Sequence, residues 1–263
     1  MHIEVITQQP AGTARPTPLV FVHGAYGAAW IWEKHFLPYF AGRGYRANAI
    51  SLRGHGESDG WETLAVARLR DYVADLEQVM DTLPTPPVLI GHSMGGMVVQ
   101  HVLHRRPVPA AVLMASVPPH GILGTYFGMS FTNPGLFREL SVVQSFGPLA
   151  ANGSNVRKAL FSDDTPESVI AHVLPRLQAE SQLVILDLMG LDLPPSESRL
   201  DLPVLVLGAG NDAFVYESAV AETAKTYRTT AELIPGMAHA MMLEAEWEKV
   251  ASRIADWLDA TLS

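Results

Sequence analysis

Three residue types in this chain could together perform nucleophilic catalysis: one serine, one histidine and one aspartate. Ser93 lies in Gly91-His92-Ser93-Met94-Gly95, between the apolar run Pro87–Ile90 and helix-compatible sequence. Glycine on both sides lets a strand and a helix approach closely, so the serine between them is pushed out at the carboxyl end of the strand. A serine hydroxyl is a poor nucleophile at neutral pH and needs a base to take its proton. Of the ten histidines, His239 is placed for this, directly after the strand-like Thr230–Ile234 and just before the last helix. The base in turn needs a carboxylate to set its tautomer and stabilise its cation. Asp212 follows the apolar run Val204–Leu207 and so falls at the same sheet edge. Its competitors are worse placed. The strand ending at Ser116 offers no acid, Asp201 precedes its strand, and Asp187 and Asp192 fall in a stretch without clear strands.

Acyl chemistry at Ser93 also needs two donors for the oxyanion that develops. The N–H of Met94, at the start of a helix, is one candidate, because first-turn amides have no intrahelical acceptor. The second is the N–H of Ala25 in His23-Gly24-Ala25-Tyr26-Gly27, with Tyr26 as the alternative. His23 is read as a brace for this loop, and His55 and His92 as packing for glycine turns. Glu57 is read as a solvated turn residue. His101 and His104 lie three apart on a helix without a carboxylate in a ligand pattern, so no metal site is expected there. No phosphate-cradling glycine motif follows a strand, and no nucleotide cofactor is expected.

The elements that must position these residues can be read from hydrophobic spacing. His2–Thr7 alternates as an edge strand would, and Leu19–Val22 is a continuous apolar run of the kind buried on both faces. Helices are expected over Trp30–Phe40, Leu64–Leu83, from Met94 to about Arg106, over Val215–Tyr227 and over Glu244–Leu262. Further strands are expected at Arg46–Ser51, Ala110–Ala115 and Thr230–Ile234. The last helix would turn Trp247, Val250, Ile254 and Trp257 inward. Strand and helix alternate, which argues for a mostly parallel sheet covered on both faces. The rhythm breaks from Pro118 to Leu200, where only Leu183–Ile185 has an ambiguous strand character. The expected organisation is a core of residues 1–117 and 201–263 with a helical cap inserted at 118–200.

The chain has 263 residues, of which 48% are apolar and 17% charged, enough to bury a large core. A net charge of −9 without a basic cluster argues against nucleic acid as a partner. The absence of cysteine excludes thiol catalysis and disulfides. No apolar stretch is long enough to span a bilayer, and the start of the chain lacks a signal-peptide pattern, so a cytoplasmic location is expected. Oligomeric state is not legible.

With these residues placed, the chain resembles the α/β-hydrolase superfamily through HGAYG at 23–27, RGHGES at 53–58, GHSMGG at 91–96, LGAGND at 207–212 and GMAH at 236–239. The order Ser93, Asp212, His239 is the order of that superfamily. The resemblance implies the α/β-hydrolase fold and a serine-centred triad. Locally, VHGAYGAAWIW at 22–32 and HAMML at 239–243 resemble the methylesterase and hydroxynitrile lyase branch, which implies small esters with an apolar part. Ala240 stands where the lyases typically carry lysine, and Gly24 where they often carry threonine. Dehalogenases of similar architecture use an aspartate nucleophile, and this chain has Ser93.

The expected function is therefore cofactor-independent hydrolysis of a small apolar carboxylic ester through an acyl-enzyme on Ser93. The pocket would be lined by Tyr26, Tyr126, Phe127, Met241 and Met242. The same residues would also serve an acyltransferase or a C–C bond hydrolase, and a small-molecule receptor built on this fold would retain them.

Overall fold

The computed structural model describes residues 1–150, 152–195 and 201–262. Seven strands form one sheet: β1 Val5–Gln8, β2 Leu19–Val22, β3 Ala47–Ile50, β4 Val88–His92, β5 Ala111–Met114, β6 Val204–Ala209 and β7 Ala231–Ile234. Their order is β1-β3-β2-β4-β5-β6-β7. Only β1 runs antiparallel, pairing Val5 with Ile50 at the edge. The other pairs are parallel, with Leu19 beside Val88 and His92 beside Met114. This is the α/β-hydrolase architecture, a mostly parallel sheet with helices on both faces.

The apolar runs explain the two-sided burial. In β2, Leu19 and Phe21 join one core while Val20 and Val22 join the other. The first core lies under α1 Trp30–Glu33, α2 Phe36–Gly42 and α11 Trp247–Thr261. It contains Trp32, Phe36, Phe40 and Ile254, all with no exposed surface. The second lies under α3 Leu69–Asp81, α4 Met94–Leu103 and α10 Glu217–Thr226, with Tyr72, Leu76, Met97 and Val98 at its centre. On α11, Val250 and Ile254 are fully buried, whereas Trp247 and Trp257 sit half-buried at its flanks.

Two expected helices are shorter than their apolar spacing suggests. Trp30–Phe40 breaks into α1 and α2 around Lys34 and His35. Pro38 lacks an N–H and would press on the carbonyl four residues back, so a continuous helix cannot form. The helix expected from Leu64 begins instead at Leu69, after a separate turn over Trp61–Val66. There Asp71 accepts the N–H of Arg68 at 2.8 Å, and Asp187 accepts the N–H of Leu69 at 2.9 Å. The second cap comes from 118 residues away.

Between β5 and β6 the described residues are helical: α5 Leu123–Thr132, α6 Pro134–Phe146, α7 Gly153–Leu160, α8 Glu167–Val173 and α9 Gln182–Leu186. The ambiguous run Leu183–Ile185 is thus helix, started by the Ser181 hydroxyl, which accepts the N–H of Val184. The end of the segment expected at Leu200 lies outside the described residues. This helical segment is fastened to the sheet core by buried polar contacts. Arg68 Nε donates to Asp187 at 2.8 Å, and the Tyr72 hydroxyl donates to Glu180. His55 Nε2 faces Glu180 Oε2 at 3.3 Å with both side chains fully buried. Burial alone would lower the His55 imidazole, but the Glu180 carboxylate outweighs it and holds the ring above its ordinary value. Burial would likewise raise Glu180, and His55 holds it below the usual carboxylate range. Among the described residues no helix is long and apolar enough to cross a membrane.

Candidate active site

At the end of β4 the backbone turns sharply into α4, and Ser93 takes φ 53° and ψ −119°. A positive φ is strained for a residue with a Cβ. The turn is held by Ser93 N–H on the Met114 carbonyl at 3.1 Å and by Gly96 and Val117 N–H groups on the Ser93 carbonyl, both at 3.0 Å. Its glycines are needed for space. A Cβ on Gly95 would lie 2.4 Å from the Val22 and His23 carbonyl oxygens, and one on Gly91 would lie 2.5 Å from the Gly95 oxygen. Gly24 passes so close that a Cβ there would stand 3.0 Å from Ser93 Cβ.

Loops from three strand ends meet at this serine. His239 Nε2 is 3.1 Å from Ser93 Oγ, and His239 Nδ1 is 2.8 Å from Asp212 Oδ2. The other Asp212 oxygen accepts the N–H groups of Phe214 and Val215 at 2.8 and 2.9 Å, so the carboxylate has one orientation. With Nδ1–H turned to the aspartate, Nε2 is the basic nitrogen and faces the hydroxyl. A hydroxyl, an imidazole and a carboxylate in that sequence can pass a proton from Oγ to Nε2. On the opposite side, the N–H of Ala25 has no acceptor among the described residues, and Met94 is the first residue of α4. Both border the cavity in front of Ser93.

Two histidines hold these loops. His23 Nε2 accepts the N–H of Leu52 at 3.0 Å, so its Nδ1–H donates to the Gly24 carbonyl at 2.7 Å, as a loop brace should. His92 does more than pack a turn. Its Nε2–H donates to the His239 carbonyl at 2.9 Å, and its ring lies 4.7 Å from the His239 ring. Sequence reasoning missed this link, which joins residues 147 apart. Burial first, and then the charge of His55, push the His23 imidazole down to about 3. Burial and the neighbouring His239 hold His92 well below its ordinary value.

Both rings are therefore neutral in the fold, and the unfolded chain would protonate them as pH falls below about 6.5. The native state then binds fewer protons than the unfolded state, so stability must fall on acidification. His55 has the opposite sign: its contribution is complete below about 6.5 and is lost only as pH rises through its raised value. The two neutral rings are expected to cost about 1.4 kcal/mol each per pH unit below that point. Urea unfolding at pH 7, 6 and 5 measures this, and a midpoint that does not move would contradict it.

Glu244 is a second residue the sequence did not reveal. It is buried and accepts from Ser162 N–H at 2.8 Å, Ser162 Oγ at 2.6 Å, Thr165 Oγ1 at 2.6 Å and Ala238 N–H at 3.2 Å. It ties the turn after α7 to the residue preceding His239. Glu244→Ala is expected to lower stability by about 3 kcal/mol, because backbone donors are left unpaired. Thermal unfolding reads this, and an unchanged midpoint would mean water replaces the carboxylate.

The cavity in front of Ser93 encloses about 180 Å³. Tyr26, Tyr126 and Met242 line it, as the sequence suggests. Phe127 and Met241 do not. Successive helical side chains point about 100° apart, so Tyr126 and Met129 face the cavity while Phe127 is 68% exposed. Met241 is fully buried in the core under α11 and does not border the cavity. Glu57 is exposed, its N–H on Glu4. Among the described residues no group of three or more histidines and carboxylates is arranged to hold a metal.

Comparison with known proteins follows the same outline. The model of the Alpha/beta hydrolase family matches residues 19–253. A non-heme chloroperoxidase of Streptomyces lividans is 31% identical over 253 residues, covering 86% of each chain. The non-heme bromoperoxidase-type protein BpoC of Mycobacterium tuberculosis is 34% identical over 102 residues, and the match spans only 38% of each chain. Its crystal structure superposes over 99% of this chain and 97% of its own, with a TM-score of 0.78 at 21% identity. A thermophilic esterase from Thermogutta terrifontis superposes over 99% and 95%, with a TM-score of 0.74 at 21% identity. Strand order, the turn at Ser93 and a match running from β2 into α11 agree with one another, and the chain belongs to the alpha/beta hydrolase family.

Proposed function

We propose that this protein is a cofactor-independent serine hydrolase that cleaves a small, apolar carboxylic ester. The observation that carries the reading is the continuous path from Ser93 Oγ through His239 to Asp212, at 3.1 and 2.8 Å, opening on an apolar cavity. Ser93 Oγ attacks the ester carbonyl while His239 Nε2 takes its proton. The N–H groups of Ala25 and Met94 receive the oxyanion. The imidazolium, steadied by Asp212, then protonates the departing alcohol. In the second half, His239 takes a proton from water, the hydroxide attacks the acyl group, and Ser93 leaves with the proton returned from His239. The helices between β5 and β6 act as a cap that walls the pocket with Tyr126, Met129 and Val143.

The test is intact mass after exposure to a fluorophosphonate, followed by ester turnover. One adduct per chain and release of free acid are expected. A folded protein that takes no adduct and cleaves no ester would overturn the reading in favour of a binding role. Transfer of the acyl group to an added alcohol in preference to water would identify an acyltransferase.

A further inference from the structure

The cavity wall is mostly hydrocarbon, from side chains such as Trp30, Ile31, Val117, Leu140 and Leu188, and among the described residues it contains no lysine or arginine. Apart from Ser93 and His239, few of its groups can bond a ligand. Glu139 is one, but its two oxygens are already engaged by Asn152 N–H and Asn155 Nδ2, each at 3.0 Å. The wall also carries Trp30, His92, Thr125 and two phenols, Tyr26 and Tyr126. The Tyr126 hydroxyl accepts a hydrogen bond from the Gln144 side-chain amide, which leaves its own O–H to donate elsewhere. The Tyr26 hydroxyl has no hydrogen-bond partner among the described residues. Its backbone is fixed at φ 65°, and its carbonyl accepts the Gln178 N–H at 2.9 Å. Tyr26 directly follows Ala25, and both border the cavity.

Two unspent donors in a hydrocarbon wall define a ligand chemistry. A donor removed from water without a partner is costly, so a ligand that supplies an acceptor gains what a plain alkyl chain does not. That acceptor must be neutral. No cation lines the wall to compensate a carboxylate, and Glu139 would repel one. We infer that Tyr26 and Tyr126 form a polar subsite for a neutral oxygen, such as a ketone, ether or second ester oxygen, carried by the substrate away from the scissile carbonyl. Burial, together with the neighbouring phenol, raises the Tyr26 hydroxyl, and burial pushes Tyr126 up to about 12, so both remain proton donors at neutral pH. The inference rests on the esterase reading for what the substrate is, but its test does not need turnover.

The test measures binding by calorimetry in a Ser93→Ala background. The probes are ethyl hexanoate, its analogue with a ketone one carbon from the chain end, and the anionic half-ester monoethyl glutarate. The keto ester is expected to bind about three- to tenfold more tightly than ethyl hexanoate, with the half-ester weakest. Tyr26→Phe and Tyr126→Phe, which keep the ring and remove only the hydroxyl, should each shrink that ratio toward one. A ratio near one in the parent, or one that neither variant changes, overturns the subsite, as does tightest binding of the half-ester. Turnover of the same probes by the wild type separates the two readings. Cleavage without the ratio sinks the subsite alone, the ratio without cleavage sinks the esterase reading alone, and neither binding nor cleavage of any probe sinks both.

Discussion

Replacing Ser93 with alanine is expected to lower kcat/KM for a small ester by on the order of 10⁵- to 10⁶-fold, while the unfolding midpoint stays close to wild type. The loss is this large because, in the mechanism proposed above, removal of Oγ removes the covalent route altogether. What remains is whatever rate the oxyanion donors and the shaped cavity lend to attack by water. Stability should change little for a local reason. Among the described residues the Ser93 side chain bonds only His239, and alanine is no worse than serine at φ 53°. The backbone bonds that hold the turn all survive the change. Steady-state kinetics beside thermal unfolding tests both halves. Retention of even a few per cent of ester hydrolysis by a folded Ser93→Ala protein would remove Ser93 from the mechanism.

Gly95→Ala is expected to damage the fold itself, by about 3 kcal/mol or more, which for a chain of this size lowers the unfolding midpoint by about 6–12 °C. Alanine is ordinarily the better helix residue, so propensity alone predicts stabilisation. Here the added methyl would sit 2.4 Å from two carbonyl oxygens of the β2 end, and 2.8 Å from the Val22 carbonyl carbon. These are backbone atoms in the middle of the sheet and cannot swing aside. Instead α4 would have to move off β2, taking Ser93 with it, so activity should fall with stability. Gly128→Ala in α5 is the matched control, because a Cβ there meets nothing within 4 Å. It should leave stability unchanged or raise it by up to about 1 kcal/mol. If both substitutions behave alike, close approach of α4 to β2 is not what Gly95 provides.

The contrast between these glycines separates what was legible in the chain from what was not. Local rules sufficed for the strands, because Leu19–Val22 and Val204–Leu207 are uninterrupted apolar runs that only a sheet covered on both faces can bury. They sufficed also for Ser93, Asp212 and His239, since each follows a strand end, and strand ends of a parallel sheet open on one side. Hydrophobic spacing was less reliable where a single residue interrupts it, as Pro38 in the first turn of α2 does by preventing α1 from running on into it. It also failed to say which residue of a motif reaches the cavity: Phe127 is exposed and Met241 lies in the core, while Tyr126 and Met242 border the cavity.

By itself, then, the sequence determined the class of fold, the tight turn that carries Ser93 and the chain order of Ser93, Asp212 and His239, because periodicity and glycine placement act over a few residues. Tertiary structure alone decided how those partners are held. His92 grips the His239 loop, Glu244 joins that loop to the turn after α7, and Asp187 caps a helix 118 residues earlier in the chain. Glu180 buries its carboxylate against His55 and Tyr72 in the same manner. A buried polar group must find a partner, but nothing in its own neighbourhood of sequence says which one, because the partner is chosen by the packing of elements far apart in the chain.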